Sequence, residues 1–323
     1  MLVSTSPRCS GVRLWLLCLA CCALASVARS EEPVHLQKRL PRPSTRVEAP
    51  GRIVAIGDLH GDLAVAQLSL ELAGAIDSSG KWIGGDLVVV QLGDQIDRGD
   101  DDRAIIDLFE RLTIEAHVAG GAVYPLVGNH EAMNVDLDFR SVTRKSVEAF
   151  TEFEQDFQLS EGSRLVRPEA RGRAAAFSPS GRYAEILSRR NVVMVIGDTV
   201  FVHGGITPSY ARYGLERINR EASEWMAGTG DRPKWVSDSR AGPLWSRRYS
   251  SRVRKRDCRT LGGVLRALGV KRMVVGHTQQ FDGINARCGE RVWRVDVGLS
   301  SHYGGPVEIM ELVGDTVRVI RAE

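Results

Sequence analysis

The 323-residue sequence has almost no charge of one sign to spare. Its 43 Lys and Arg face 40 Asp and Glu, a formal +3. A protein that grips nucleic acid through its phosphates needs a clear basic excess, so no nucleic-acid partner is expected. Cysteine is scarce where a fold must lie. Four of the six (Cys9, Cys18, Cys21, Cys22) fall in the first 22 residues, leaving Cys258 and Cys288. A disulfide scaffold is therefore excluded, and the remaining pair is either one bridge or two free thiols. No internal repeat or long low-complexity tract interrupts the chain. Hydrophobic content of 43% and charged content of 26% exclude a mostly disordered protein.

Acidic residues are absent from the first thirty positions. There, Arg8 and Arg13 precede the apolar run Leu14–Ala25, and small residues follow up to Ala28-Arg29-Ser30. That is the order of a secretory leader. The run is 12 residues long, short of the ~20 that span a bilayer. The expectation is a secreted or periplasmic protein with no stable membrane insertion after cleavage. The alternatives are an uncleaved membrane anchor or an organelle-targeting segment. Losing the leader's three arginines leaves 40 basic side chains against 40 acidic ones. Residues 31–50 are Pro-rich with mixed charge and read as an extended linker. The remaining 51–323 is long enough for one large domain.

Strand-like apolar runs that stop at glycine recur: 52–56 before Gly57, 86–92 before Gly93, and 122–127 before Gly128. Helical spacing lies between them, at 62–75 and 101–118. This alternation predicts a layered α/β (α+β) fold with its chemistry at the strand C-termini. Residues 134–190 break the rhythm and read as an inserted cap or lid, with helices near 141–158 and 181–190 around an Arg-rich polar stretch at 161–180. Strand runs at 192–196 and 200–203 read as a hairpin. Further strands are expected at 273–275, 292–297, 307–312 and 317–320.

Five segments follow such strand runs: Gly57-Asp58-Leu59-His60-Gly61, Gly93-Asp94-Gln95-Ile96-Asp97-Arg98-Gly99, Gly128-Asn129-His130-Glu131, His203-Gly204-Gly205 and Gly276-His277-Thr278. Each puts oxygen or imidazole donors on a tight turn. Singly they are weak, since an Asp after a strand is usually a helix cap. Together, with no thiolate among them, they suit Mn, Fe, Zn or similar divalent ions rather than Ca or a structural zinc.

This motif set resembles the calcineurin-like metallophosphoesterases. Within them, Gly-Asp-x-x-Asp-Arg-Gly with Gly-Asn-His-Glu resembles the phosphoprotein phosphatase superfamily. Val127 before Gly128, the long 134–190 segment and the leader make the chain most similar to the bacterial-type Shewanella-like phosphatases, some of which prefer phosphotyrosine. The resemblance implies a metallophosphatase fold, a central β-sandwich flanked by helices. It implies two divalent ions, with Mn favoured in vitro. Asp58 and His60 would hold one, Asn129, His203 and His277 the other, and Asp94 would bridge both. A shared hydroxide would attack phosphorus in line. Arg98 would clamp phosphate, and His130, oriented by Asp97, would protonate the leaving oxygen. The Leu244-Trp245 segment points to a second phosphate-binding arginine, Arg247 or Arg248, with Arg247 favoured. Tyr303 stands where an active-site tyrosine is expected. The substrate implied is a phosphorylated protein, with phosphotyrosine as one form, or a small phosphoester such as a bis-nucleoside polyphosphate.

Overall fold

The computed structural model describes residues 40–49, 51–158 and 164–322. The expected leader, residues 31–39 of the expected linker, and part of the Arg-rich 161–180 stretch lie outside the described residues. None of the described helices is long and apolar enough to cross a membrane.

Short, Val-rich runs form the frame, as β-branched residues favour a pleated surface buried on both faces. In chain order the strands are β1 (Arg46–Val47), β2 (Arg52–Ile56), β3 (Val88–Gln91), β4 (Ala122–Pro125), β5 (Val193–Ile196), β6 (Thr199–Val202), β7 (Arg272–Val275), β8 (Asn285–Arg287), β9 (Val292–Arg294), β10 (Glu308–Val313) and β11 (Thr316–Arg321). They make two mixed sheets, one ordered β1-β5-β6-β7-β9-β8 and the other β11-β10-β2-β3-β4. Within them, β2, β3 and β4 run parallel, and so do β6, β7 and β9. The β5–β6 pair is the antiparallel hairpin read from the sequence.

The period-2 alternation of strand β5 shows how the layers stack. Met194 and Ile196 join Val54, Ile56, Val90 and Val274 in a core shared by both sheets. Val193 and Val195 turn instead to a second core built with helices. The result is a β-sandwich with helices outside, the α/β layered fold expected. Around it lie α1 (Leu63–Leu72), α2 (Asp102–Val118), α3 (Asn129–Val135), α4 (Arg144–Glu148), α5 (Arg171–Phe177), α6 (Arg182–Ser188), α7 (Pro208–Tyr213), α8 (Leu215–Met226) and α9 (Lys255–Leu268). Cys258 at the start of α9 is disulfide-bonded to Cys288, just beyond β8. That resolves the pair left open by the sequence.

Two sequence expectations change. The described end of 31–50 is not a free linker. Arg46 and Val47 pair in parallel with Val195 and Ile196, and Arg42 Nη1 donates to Asn191 Oδ1 at 2.8 Å. The edge of β5 offers backbone groups that this segment satisfies. The single helix expected near 141–158 is instead α4 followed by a 3₁₀ turn at Thr151–Asp156. The chain turns at Phe150 because its ring is fully buried, 5.2 Å from that of Phe177 and 5.0 Å from that of Tyr183.

The 134–190 segment is rooted in the core by these rings and by Arg173. Arg173, read as part of a polar stretch, is wholly buried on α5. It ion-pairs with Asp102 at 2.7 Å and Asp97 at 3.3 Å. It also donates to Asn134 Oδ1 at 2.8 Å and Ser146 Oγ at 2.9 Å. Phe177 and Phe150 lie against its guanidinium at 4.9 and 5.0 Å. Removing one partner from a buried pair strands the other charges at ~3–5 kcal/mol. Arg173→Ala is therefore expected to lower unfolding free energy by about that amount in urea denaturation. Exposed Arg171→Ala on the same helix is expected to change it by less than ~0.5 kcal/mol.

Candidate metal centre and phosphate site

Six parallel strands, three from each sheet, end at one place. Strand β2 runs into Asp58 and His60, β3 into Asp94, and β4 into Asn129 and His130 at the start of α3. On the other sheet, β6 runs into His203, β7 into His277 and β9 into Asp296. The turns are laced together by backbone. Leu59 and His60 N–H donate to the Asp94 carbonyl at 2.9 and 3.0 Å, and Gly276 N–H donates to the His203 carbonyl at 2.8 Å. His277 N–H donates to Asp58 Oδ2 at 3.1 Å, tying the two sheets together.

The turns are tight enough to force unusual backbone. His60, Asp94, Asp97, Arg98 and His277 have φ of 46°, 52°, 70°, 73° and 63°. Non-glycine residues pay for this left-handed region, and such residues gather at functional sites. Gly93 shows why the motif glycines are needed. Its φ is +90°, and a Cβ there would come within 2.5 Å of Gly128 N.

Asp58, His60, Asp94, Asn129, His130, His203 and His277 are all buried at the ends of these strands. Donor atoms of His60, Asp94 and His130 lie within 4.8 Å of one another, as do those of Asp94, His203 and His277. Asp94 belongs to both groups. The electrostatics explain what such a cluster needs. Burial, then Asp296 and Asp94, push Asp58 well above the usual carboxylate range. Burial likewise raises Asp296 to about 6. Burial works against a charge on Asp94 too, but the surrounding histidines, His203 foremost, hold its pKa well below normal. Burial drives His60 down to about 4 and His277 to about 2, leaving both neutral donors.

The residues present fit divalent cations. His203 Nδ1 lies 2.9 Å from the Leu92 carbonyl, which only accepts, so Nδ1 carries the proton. Its Nε2 faces Asn129 Oδ1 at 3.0 Å, Asp94 Oδ2 at 3.2 Å and His277 Nδ1 at 3.2 Å. Electron-rich atoms converge there with too few protons among them. His60 Nδ1 and His277 Nε2 are buried without any hydrogen-bond partner. Acceptors gathered with too few donors are costly to bury, and a cation is what this donor set accommodates.

His130 is placed differently from its neighbours. Its Nδ1 is 2.6 Å from Asp97 Oδ2. Burial opposes a charge on the ring, but Asp94 and the Asp97 hydrogen bond prevail and raise its pKa to about 9. Asp97 is in turn held by Asn134 Nδ2 at 2.9 Å and by Arg173.

Arg98, Arg247 and Tyr303 line the same cavity of about 610 Å³, above the cluster. Acidic Asp100, Asp101 and Asp102 follow Arg98 closely in the chain. The structure gives Asp100 to Lys145 and Asp102 to Arg173, so Arg98 stays exposed and free for a ligand. Of the two candidate arginines, Arg247 lines the cavity, with Nη1 donating to the His277 carbonyl at 2.6 Å. Arg248 turns away to Asp257 at 3.3 Å. The Tyr303 ring lies tilted beside that of His60, with centroids 5.1 Å apart.

Three residues escaped the sequence reading. Asp296 has the same strand–Asp–turn signature, in Val295-Asp296-Val297-Gly298. Glu131 sits inside a quoted motif, yet its task appears only in three dimensions. It accepts N–H bonds from Gly128 at 2.7 Å, Asp94 at 2.9 Å and Gln95 at 2.9 Å, holding two of the turns in register. Arg173 carries no local signal at all.

Residues 51–281 match the family model described as calcineurin-like phosphoesterase. The chain belongs to the calcineurin-like phosphoesterases. It is 39% identical to Shewanella-like protein phosphatase 2 of Arabidopsis thaliana over 308 residues, 85% of this chain and 79% of that one. It is 31% identical to Shewanella-like protein phosphatase 1 of Plasmodium berghei, over 79% of this chain and 70% of that one. The crystal structure of the cold-active protein-tyrosine phosphatase of a psychrophilic Shewanella shares the fold at a TM-score of 0.68 and 23% identity. That match covers 87% of this chain and 83% of the other. The calcineurin-like chain is thus a Shewanella-like, metal-dependent phosphatase, a hydrolase of phosphorylated substrates.

Glu131 gives the site's own test. Glu131→Gln would set an amide NH₂ against backbone N–H donors. The expected result is a loss of ~1–3 kcal/mol in thermal or urea unfolding. A fall of more than about tenfold in phosphatase activity should accompany it, since 1.36 kcal/mol of lost transition-state stabilisation is already tenfold.

Proposed function

We propose that this phosphatase hydrolyses phosphomonoesters on protein, phosphotyrosine included, with two divalent ions that Mn can supply in vitro. The observation that carries the reading is one set of donors shared through Asp94 at the floor of a cavity whose lining includes the guanidinium groups of Arg98 and Arg247. Asp58, His60 and Asp94 would hold one ion, and Asp94, Asn129, His203 and His277 the other. When bound, such ions supply Lewis acidity and lower the pKa of water.

The remaining work falls to the chain. Arg98 and Arg247 bind the phosphoryl oxygens from the rim, where a planar guanidinium matches their geometry. His130, protonated and held at Nδ1 by Asp97, presents Nε2 to the cavity and delivers a proton to the leaving oxygen. Trp245 and Tyr303 give the cavity flat apolar walls that suit the ring of a phosphotyrosine. The reading extends to an oxidising compartment reached through the leader, and the Cys258–Cys288 bond supports it.

Three measurements test this. His130→Asn is expected to lower kcat by ~10²–10⁴-fold on a phosphotyrosyl or phosphoseryl peptide. The loss should be smaller on an aryl phosphate whose leaving group needs no proton. An equal loss on both would remove the acid role. Chelation should abolish turnover and added Mn restore it. Side-by-side rates on phosphotyrosyl peptide, phosphoseryl peptide and dinucleoside tetraphosphate should favour the peptides. A preference for the dinucleotide would contradict the protein reading.

A further inference from the structure

The near balance of charge along the whole chain hides a basic stretch beside the site. Of the thirteen residues 247–259, seven are basic and one, Asp257, is acidic. Asp257 is buried and already engaged. It pairs with Arg248 at 3.3 Å and accepts the Arg254 N–H at 3.1 Å. Arg240, Arg252, Arg254 and Arg256 are exposed, and among the described residues none has a carboxylate within 4.0 Å of its guanidinium. These arginines line a groove of about 750 Å³. The groove is continuous with the phosphate cavity, because Ser239, Trp245, Arg247 and His277 line both. Beside it, the Cys258–Cys288 bond ties the start of α9 to the end of β8.

Ordinary surfaces intersperse both signs of charge, because unrelieved repulsion costs stability. Among the described residues, the one acid that lines the groove, Asp257, is spent on the helix start, while several guanidinium groups converge on one open channel at the rim of the catalytic cavity. Guanidinium groups take carboxylates and phosphates in bidentate fashion. An extended polypeptide advances about 3.3 Å per residue. A peptide whose phosphorylated residue sits in the cavity therefore carries its neighbouring side chains along the groove.

We propose that this groove is a substrate-binding exosite for anionic side chains flanking the scissile phosphoresidue, either acidic residues or a second phosphorylated residue on the same polypeptide. The proposal rests on the phosphoprotein reading above. It makes the enzyme selective for acidic or multiply phosphorylated segments, through affinity rather than chemistry.

The test uses the holoenzyme and four substrates: an aryl phosphate, and one phosphopeptide with neutral flanks, with Asp/Glu flanks, or with a second phosphate. Flanks are placed on either side of the phosphoresidue in turn. The expected result is a KM at least about tenfold lower for an anionic flank on one side than for neutral flanks. That advantage should shrink with rising salt. In the Arg252→Gln/Arg254→Gln/Arg256→Gln variant the advantage should vanish while kcat/KM on aryl phosphate holds. Arg240→Gln, on a separate stretch of the groove lining, should reduce the advantage without touching the α9 start. The two anionic peptides distinguish carboxylate from phosphate as the preferred group. Equal kcat/KM for neutral and anionic flanks in the wild type would overturn the exosite, even if every peptide is hydrolysed. So would an anionic preference that survives in both variants. Turnover of aryl phosphate with no turnover of any peptide is a separate pattern. It would remove the phosphoprotein reading, and the exosite with it.

Discussion

The carboxylate and carbonyl of Asp94 hold the site together. The carbonyl accepts the Leu59 and His60 N–H groups, so it sets the turn after β2. The carboxylate accepts the His130 N–H at 2.9 Å, so it sets the start of α3. Its other oxygen lies 3.2 Å from His203, which comes from the opposite sheet. One residue thus fixes turns from both halves of the sandwich. That residue must be an ionised carboxylate in a buried position. Burial penalises that charge, and neighbouring histidines offset the penalty only in part of the cluster, since Asp58 and Asp296 remain pushed upward. A bound metal ion would complete the balance.

Strain and support follow from this constraint. To bring six donors to one point, His60, Asp94, Asp97, Arg98 and His277 accept left-handed backbone. The rest of the fold must over-determine those turns for them to persist. Glu131 does so from beneath, through three N–H bonds, and Arg173 does so from the side, through Asp97 and Asp102. The 134–190 segment therefore does two jobs. Its rings and Arg173 anchor the acid that holds His130, and Asp136, Asp138 and Arg140 form one wall of the cavity.

Much of this was legible in the chain. A strand run that stops at glycine and is followed by Asp, Asn or His recurs at 57, 93 and 128, and donors also follow the runs before 203 and 277. Each such segment reached the same cavity. The pattern is local, so sequence carries it. Asp296 shows the same signature in weaker form, and its place became visible only once β9 was set parallel to β7. Helix α9 went unread, although Leu261, Val264, Leu265 and Leu268 recur at helical spacing and are all buried. Arg173 was not readable. A buried guanidinium is defined by partners 27 to 76 residues away, and composition alone makes it look like a solvated loop. The docking of residues 46–47 depends in the same way on the free edge of β5, which no local pattern announces.

The central claim is that Asp94 is the carboxylate on which two cations and both sheets converge. Crystals grown with Mn, with anomalous scattering recorded at the Mn edge, test it directly. The account predicts two anomalous peaks at the floor of the cavity, both in contact with Asp94. A single peak, or two peaks of which only one touches Asp94, would contradict it.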